Sequence, residues 1–304
     1  MGAPRQDLSG RRHAPRWRNI VWTLPALLIL GAFVYWPLVQ NLFFSVTKWN
    51  IYSNEQEFVG TGNYSKMMAD PVFWSSLINN VFYAVVSVMV QVSGALALAA
   101  VIEGLRSERL RRLLRATYFI PSAISLTVAG LLFYFIYEPR LGLLNGVLDS
   151  LGLNQLTQAW LGQENTAIWG IITMSQWQGF GYSTLLFAVA IQRIPSELYD
   201  AAAIDGVGGL TRFWTITMPL TREMTGLMMI VTVAGSFQVF NEVMVMTSGG
   251  PNNSSQVLGT WLYRSGFVRN DFGYAAAIAT VIFVVTIVLA LLQLWYGRKR
   301  RVEW

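Results

Sequence analysis

The side chains that could do chemistry in this sequence are polar groups embedded in apolar runs. Gln238, Asn241 and Glu242 stand at i, i+3 and i+4, on one face of a helix, with Ser236 adjacent and Gly235 one turn earlier. A second set, Ser175, Gln176, Trp177, Gln178, Gly179 and Tyr182, recurs at similar spacing in an earlier run. Amides and hydroxyls beside flat aromatic rings suit recognition of a sugar, whose hydroxyls need hydrogen bonds and whose C–H faces need apolar cover. The same groups suit hydrogen bonding between buried helices, and periodicity leaves both readings open. Catalysis is excluded more firmly. Cysteine is absent and His13 is the only histidine, outside every apolar run. Thiolate nucleophiles, disulfides, Cys-ligated metals and His-based triads therefore have no residues to be made from.

These groups need a scaffold, and composition says which kind. Of 304 residues 54% are hydrophobic and only 12% charged, about half the roughly 25% of a soluble domain, and mean hydropathy is +0.43. Uncharged runs cover 19–47, 71–102, 116–137, 165–192, 224–241 and 272–297. About 20 apolar residues suffice to cross a bilayer core of about 30 Å. The sequence predicts an all-α integral membrane protein of about six spanning helices, at about 20–46, 74–102, 116–137, 166–192, 224–247 and 274–297. A basic tail precedes them at 1–18 and a short one follows at 298–304. The first run continues through Tyr35, Trp36 and Pro37, past the length of a secretory signal core, and so reads as a span.

Seventeen of the 22 lysines and arginines fall on one side of this arrangement, in both tails and in the connections around 103–115 and 193–223. The positive-inside rule makes that side cytoplasmic, both termini with it. The formal charge of +6 is divided among short loops, so no continuous basic face is offered to nucleic acid.

The connection 193–223 is the most informative stretch. Pro195 and Glu197 suit a helix start, Leu198, Ala201, Ala202 and Asp205 recur at helical spacing, and Gly206, Gly208 and Gly209 supply a stop. A short helix rich in alanine can enter a groove of another protein or rest on the membrane surface, and periodicity does not separate the two. Asp200-Ala201-Ala202, Gly206 three residues on, Ile216 after nine more and then Pro219 resemble the cytoplasmic signature of permease subunits of bacterial ABC importers. Asp200 stands where that family has Glu, and Met218 where it has Leu. Ile194-Pro195, Ile204-Asp205-Gly206 and Phe213 look like its carbohydrate-uptake branch. Phe58-Val59-Gly60, Asn63-Tyr64, Asp70-Pro71, Gly142 with Asn145, Thr247 to Pro251 and Gly273-Tyr274-Ala275 resemble the maltose-type first permease over about residues 20–297.

The resemblance implies a type I importer permease of the bacterial cell membrane. Its partners would be a second, homologous permease, two cytoplasmic ATP-binding subunits and an extracytoplasmic solute-binding protein. No cofactor would be bound by this chain. No GxxxxGK[ST] loop occurs, so ATP and Mg would sit on the partner subunits. Glu197, Asp200, Ala201, Ala202, Asp205, Gly206 and Pro219 would couple to the ATPase. Family practice places substrate contacts on the fifth span, favouring Ser236, Gln238 and Asn241, with Trp177, Gln178 and Tyr182 of the fourth as further candidates. Glu242 is expected near the outer interface; an ion-coupled secondary transporter would use it instead. No Arg or Lys lies inside an uncharged run, which favours a neutral di- or oligosaccharide over a glycerol-phosphate-type solute; a polyol stays open.

Overall fold

The computed structural model describes residues 16–298 apart from 51 and 53–55. The tails expected at 1–18 and 298–304 lie almost wholly outside the described residues. Helix α1 runs as Arg16–Leu30, a π turn Gly31–Tyr35 and Trp36–Ser45. The wider turn comes just before Pro37, whose missing N–H removes a rung of the helical ladder. A hairpin of β1 (Thr47–Lys48) and β2 (Glu57–Phe58) follows, then α2 (Gly62–Met68). Helix α3 (Pro71–Glu103) contains a second π turn at Val88–Gly94.

The third expected span is not one straight helix. It is divided into α4 (Glu108–Phe119), a 3-10 turn at Ile120–Ala123 and α5 (Leu126–Ile136), with 91° between the two arms. Pro121 sits in the turn and Ser125 caps the second arm through the Val128 N–H, so one helix stops and another starts within six residues. Helix α6 (Leu143–Ser150) lies in the next connection, and α7 (Glu164–Ile191) is 28 residues long, about 42 Å at ~1.5 Å per residue. After α8 (Ser196–Ile204), α9 (Gly209–Arg212) opens a π turn at Phe213–Thr217 that leads to Met218–Leu220.

The fifth expected span, 224–247, is also broken. Helix α10 (Arg222–Phe237) ends at Gln238, Phe240 takes φ −151° and ψ −58°, and α11 (Asn241–Met246) starts anew. The stretch 248–273, read from sequence as a loop, holds α12 (Leu258–Tyr263) continued by a π turn at Arg264–Val268. Helix α13 (Phe272–Arg298) completes the chain. Among the described residues, three helices are long and apolar enough to cross a membrane: Trp22–Ser45, Pro71–Glu103 and Phe272–Trp295, with α4 and α5 a fourth if taken as one span. Helix α7 has the length, but its Ser, Thr, Gln and Gly residues, among them the buried Ser175, Gln176, Ser183 and Thr184, lower its hydropathy.

Helix α3 organises the interior, because its buried side chains enter all three hydrophobic clusters. Tyr83 joins Ile171, Ile172, Met174, Val243 and Met246; Phe73 and Ala84 join Phe237, Trp261 and Tyr274; Val92, Ala95, Leu96 and Ala99 join Phe187 and Ala188. Small residues let the backbones approach, as expected where lipid removes the hydrophobic drive between helices. At Gly181 of α7 a Cβ would lie 1.8 Å from the Tyr118 carbonyl oxygen of α4.

Candidate functional site

Helix α8 is closed by a left-handed residue. Gly206 has φ +70° with nothing within 4 Å of a would-be Cβ, so its glycine answers to backbone conformation and not to space. The Val207 N–H donates to the Ala202 carbonyl at 2.8 Å and the Gly206 N–H to that of Ala203 at 3.1 Å, the paired bonds of a Schellman stop. Glu197, Asp200, Ala201 and Asp205 are exposed, as are Pro219 and the apolar Ile204, Leu210 and Trp214. Ala202, expected at a partner's groove, is instead buried against its own chain. Tyr199 Oη and Thr217 Oγ1 lie 2.9 Å apart and tie α8 to the segment feeding α10. Arg115 Nε donates to Glu103 Oε1 at 2.8 Å and Nη2 pairs with Oε2, with the amide of Gln192, just before α8 in sequence, beside them. That cluster joins the ends of α3 and α7 to α4.

Along α10, the break and α11 the exposed residues are Glu223, Gly226, Leu227, Val231, Gly235, Gln238 and Asn241. Gln238 and Asn241 reach this face although the helix between them is interrupted; the Gln238 N–H still donates to the Gly235 carbonyl at 2.9 Å. Ser236 does not reach it. Its hydroxyl donates to the Thr232 carbonyl at 2.8 Å and its own carbonyl accepts from Asn80 at 2.6 Å, facing α3. Glu242, expected near an interface, is 4% exposed and accepts from the Tyr83 hydroxyl at 2.7 Å.

Of the candidates on α7, Gln178 and Trp177 pack against α5 and the turn before it, while the Tyr182 ring stays exposed. Gln178 Nε2 donates to the Ile124 carbonyl at 3.1 Å, its carbonyl accepts from Ser122 at 2.6 Å, and the Tyr182 N–H donates back to Ser122 Oγ at 3.0 Å. The Trp177 ring lies against Phe133, centroids 5.1 Å apart. Gln176 bridges α7 to α3, accepting from Gln91 at 2.9 Å and donating to Ser87 at 3.0 Å. Sequence reasoning missed a groove of about 430 Å³ at the far ends of α5 and α11, lined by Tyr134, Tyr137, Glu138, Pro139, Met246 and Thr247 among others. Two tyrosines one turn apart before Glu138-Pro139 were its visible signal. Gly250 and Pro251 close its rim.

At the same end, Asp70 caps α3 through the Val72 N–H at 2.9 Å and accepts from Trp261 Nε1 at 2.9 Å and the Tyr274 hydroxyl at 2.6 Å. Burial would raise its carboxyl pKa, but the bonds from Tyr274, Val72, Trp261 and Phe73 hold it below the usual value. Lys66 pairs with Asp271 and lies over the Tyr274 ring, and Arg269 stacks on Trp261 at 4.3 Å. Among the described residues no three His, Cys, Asp or Glu side chains gather to hold a metal.

The profile of the family described as binding-protein-dependent transport system inner membrane component matches residues 95–302. The probable ABC transporter permease protein YurN of Bacillus subtilis is 46% identical over 283 residues, 93% of this chain and 97% of that one. The diacetylchitobiose uptake system permease protein NgcF of Streptomyces coelicolor is 34% identical, over 90% of this chain and 80% of that one. A chain of a bacterial alginate ABC transporter, solved in complex with its alginate pentasaccharide-bound periplasmic protein, superposes with a TM-score of 0.81 at 20% identity, covering 93% of this chain and 94% of that one. That last likeness is one of fold.

Proposed function

The chain belongs to the family of binding-protein-dependent transport system inner membrane components, and from that premise we propose that it carries a neutral di- or oligosaccharide along the face of Gln238 and Asn241. As an ABC importer permease it is an integral membrane transport subunit, not an enzyme. The reading of its cargo is carried by one observation: Gly235, Gln238 and Asn241 present an exposed small and polar strip at a break in the fifth span. A break frees backbone groups as well as amides for a ligand, and irregular backbone at membrane depth is tolerated where it lines a cavity. The groove between Tyr134 and Thr247, at the end that carries the Asp70 cluster, adds the aromatic surface a sugar needs.

A second, similar permease covers the exposed strip from the other side, an extracytoplasmic solute-binding protein delivers the sugar, and two cytoplasmic ATPase subunits hold ATP and Mg. Both termini are cytoplasmic in this arrangement. Closure of the ATPase dimer moves α8 as a rigid body, and the Tyr199–Thr217 contact and the Arg115–Glu103 pair pass that motion to α10, α3 and α7. Asp200, exposed on α8, meets a basic group of the ATPase. The test is reconstitution of the whole complex in vesicles with its solute-binding protein. Uptake of that protein's sugar ligand should require enclosed ATP. Uptake by this chain alone, driven by an ion gradient, would replace the proposal with a secondary transporter using Glu242.

A further inference from the structure

Helix α4 has two surfaces of opposite chemistry. Arg111, Arg112 and Arg115 fall on the side of Glu108, and Leu110, Leu113 and Leu114 on the other, at about 100° per residue. Leu113 is 62% and Leu110 42% exposed. Arg106, Arg109 and Arg112 are exposed too, and the one acid of the helix, Glu108, offers Arg112 only a contact at 3.7 Å. Arg111 Nε is buried with no hydrogen-bond partner. Position follows from two further facts. Arg115 is bonded to Glu103, the residue at which the apolar run of α3 stops, so α4 lies level with the membrane boundary. It also turns 91° from α5 and so does not continue that arm's course.

We propose that α4 lies in the membrane interface and binds the phosphate groups of anionic phospholipids, with Leu110 and Leu113 among the acyl chains and Arg106, Arg109 and Arg112 on the headgroups. An amphipathic helix with this division of charge gains from both the apolar and the ionic contact. Through Arg115 and Glu103 the bound lipid steadies the α3–α4–α7 junction beside the coupling loop. The inference is independent of which solute is carried.

The test uses the full-length chain and phosphatidylglycerol. Native mass spectrometry of wild type should show phosphatidylglycerol retained in preference to phosphatidylcholine. Arg106→Gln, Arg109→Gln and Arg112→Gln together should weaken that retention about a hundredfold, at about fivefold per charge. The matching triple Lys variant should stay within a few-fold of wild type, since a phosphate accepts a point charge. Because the chain has no cysteine, Leu113→Cys can carry a polarity-sensitive dye, which should report apolar surroundings in vesicles of phosphatidylcholine with equimolar phosphatidylglycerol. A Gln triple variant of wild-type melting that keeps its phosphatidylglycerol would overturn the proposal. So would a dye shielded only after the ATPase subunits are added, which would give this face to a protein.

Discussion

The Tyr83 hydroxyl donates to Glu242 Oε1 across 2.7 Å, joining α3 to the short helix α11 inside the protein. Helix α11 has only six residues and enters through an irregular Phe240, so its orientation depends on such anchors. With Glu242 and Val243 turned inward, Asn241 is left on the exposed face. Tyr83→Phe removes the donor and leaves a buried carboxyl alone, which should cost about 1–3 kcal/mol and lower the thermal midpoint of the detergent-solubilised protein. Glu242→Gln keeps an acceptor and should preserve both melting and ATP-driven uptake. Loss of uptake in Glu242→Gln with unchanged melting would show that the carboxyl does more than anchor.

The Gly181–Tyr118 approach gives a second expectation. A Cβ at 181 would lie 1.8 Å from a backbone oxygen and 2.6 Å from its carbon, and no side-chain rotation relieves a backbone clash. Gly181→Ala should destabilise by about 1–3 kcal/mol and expose the α4–α7 joint to protease. Gly146→Ala, with nothing within 4 Å, is the control and should melt as wild type.

At the end of α8 the cost is conformational. Gly206→Ala must hold a left-handed backbone, at about 1–2 kcal/mol, and Gly206→Val, β-branched, somewhat more. Both should insert normally yet lose uptake, because the turn after α8 sets where Asp200 points. Asp200→Lys reverses an exposed charge without touching the fold and should abolish uptake. Normal uptake and normal co-purification of the ATPase in Asp200→Lys would remove α8 from the mechanism.

Asp70 predicts a pH dependence whose sign is fixed by its lowered pKa. The carboxylate binds its proton more weakly folded than unfolded, so its contribution is complete above the ordinary value of 3.8 and is lost as pH falls through the lower folded value. Wild-type melting should therefore drop on acidification from about pH 5 toward 3, where the unfolded form takes up the proton first. Asp70→Asn, already uncharged, should melt lower at neutral pH and change less over that interval. Parallel curves for the two proteins would deny the carboxylate this role.

What could be read in advance was local. The helix of the coupling loop was legible to within a residue because its start, its periodicity and its glycine stop are all written in twelve consecutive residues. The breaks in the third and fifth spans were not, for different reasons. Pro121 with Ser122 and Ser125 was a local signal, outweighed by an uncharged run of the right length. The break at Gln238–Phe240 has no glycine or proline of its own. Its complement is Gly259, 20 residues later in α12, where a Cβ would stand 2.6 Å from the Val239 carbonyl oxygen. Ser236 joins the polar set in sequence only as a neighbour of Gly235, and at about 100° per residue the unbroken α10 turns it toward α3. Glu242 reads as exposed because a carboxylate stands near a loop, until Tyr83 is seen beside it.

The break also sharpens the test of the route itself. Gln238 and Asn241 are exposed while Ser236, between Gly235 and Gln238 in sequence, is bonded into α3. One lost hydrogen bond to a substrate costs about 0.5–1.5 kcal/mol, or roughly 2- to 13-fold in affinity. Gln238→Ala and Asn241→Ala should each lower uptake by that order and change the relative rates among sugars, with assembly and melting unchanged. Tyr134→Ala, which strips the aromatic wall from the groove, should act likewise and more strongly on larger sugars. Ser236→Ala should leave selectivity alone and appear only in melting, because its hydroxyl serves the Thr232 carbonyl of its own helix. Uptake rates for a panel of mono-, di- and trisaccharides, measured beside melting for all four variants, separate the two roles. A double Gln238→Ala, Asn241→Ala variant with wild-type rates and wild-type selectivity would end the assignment of the sugar route to this face.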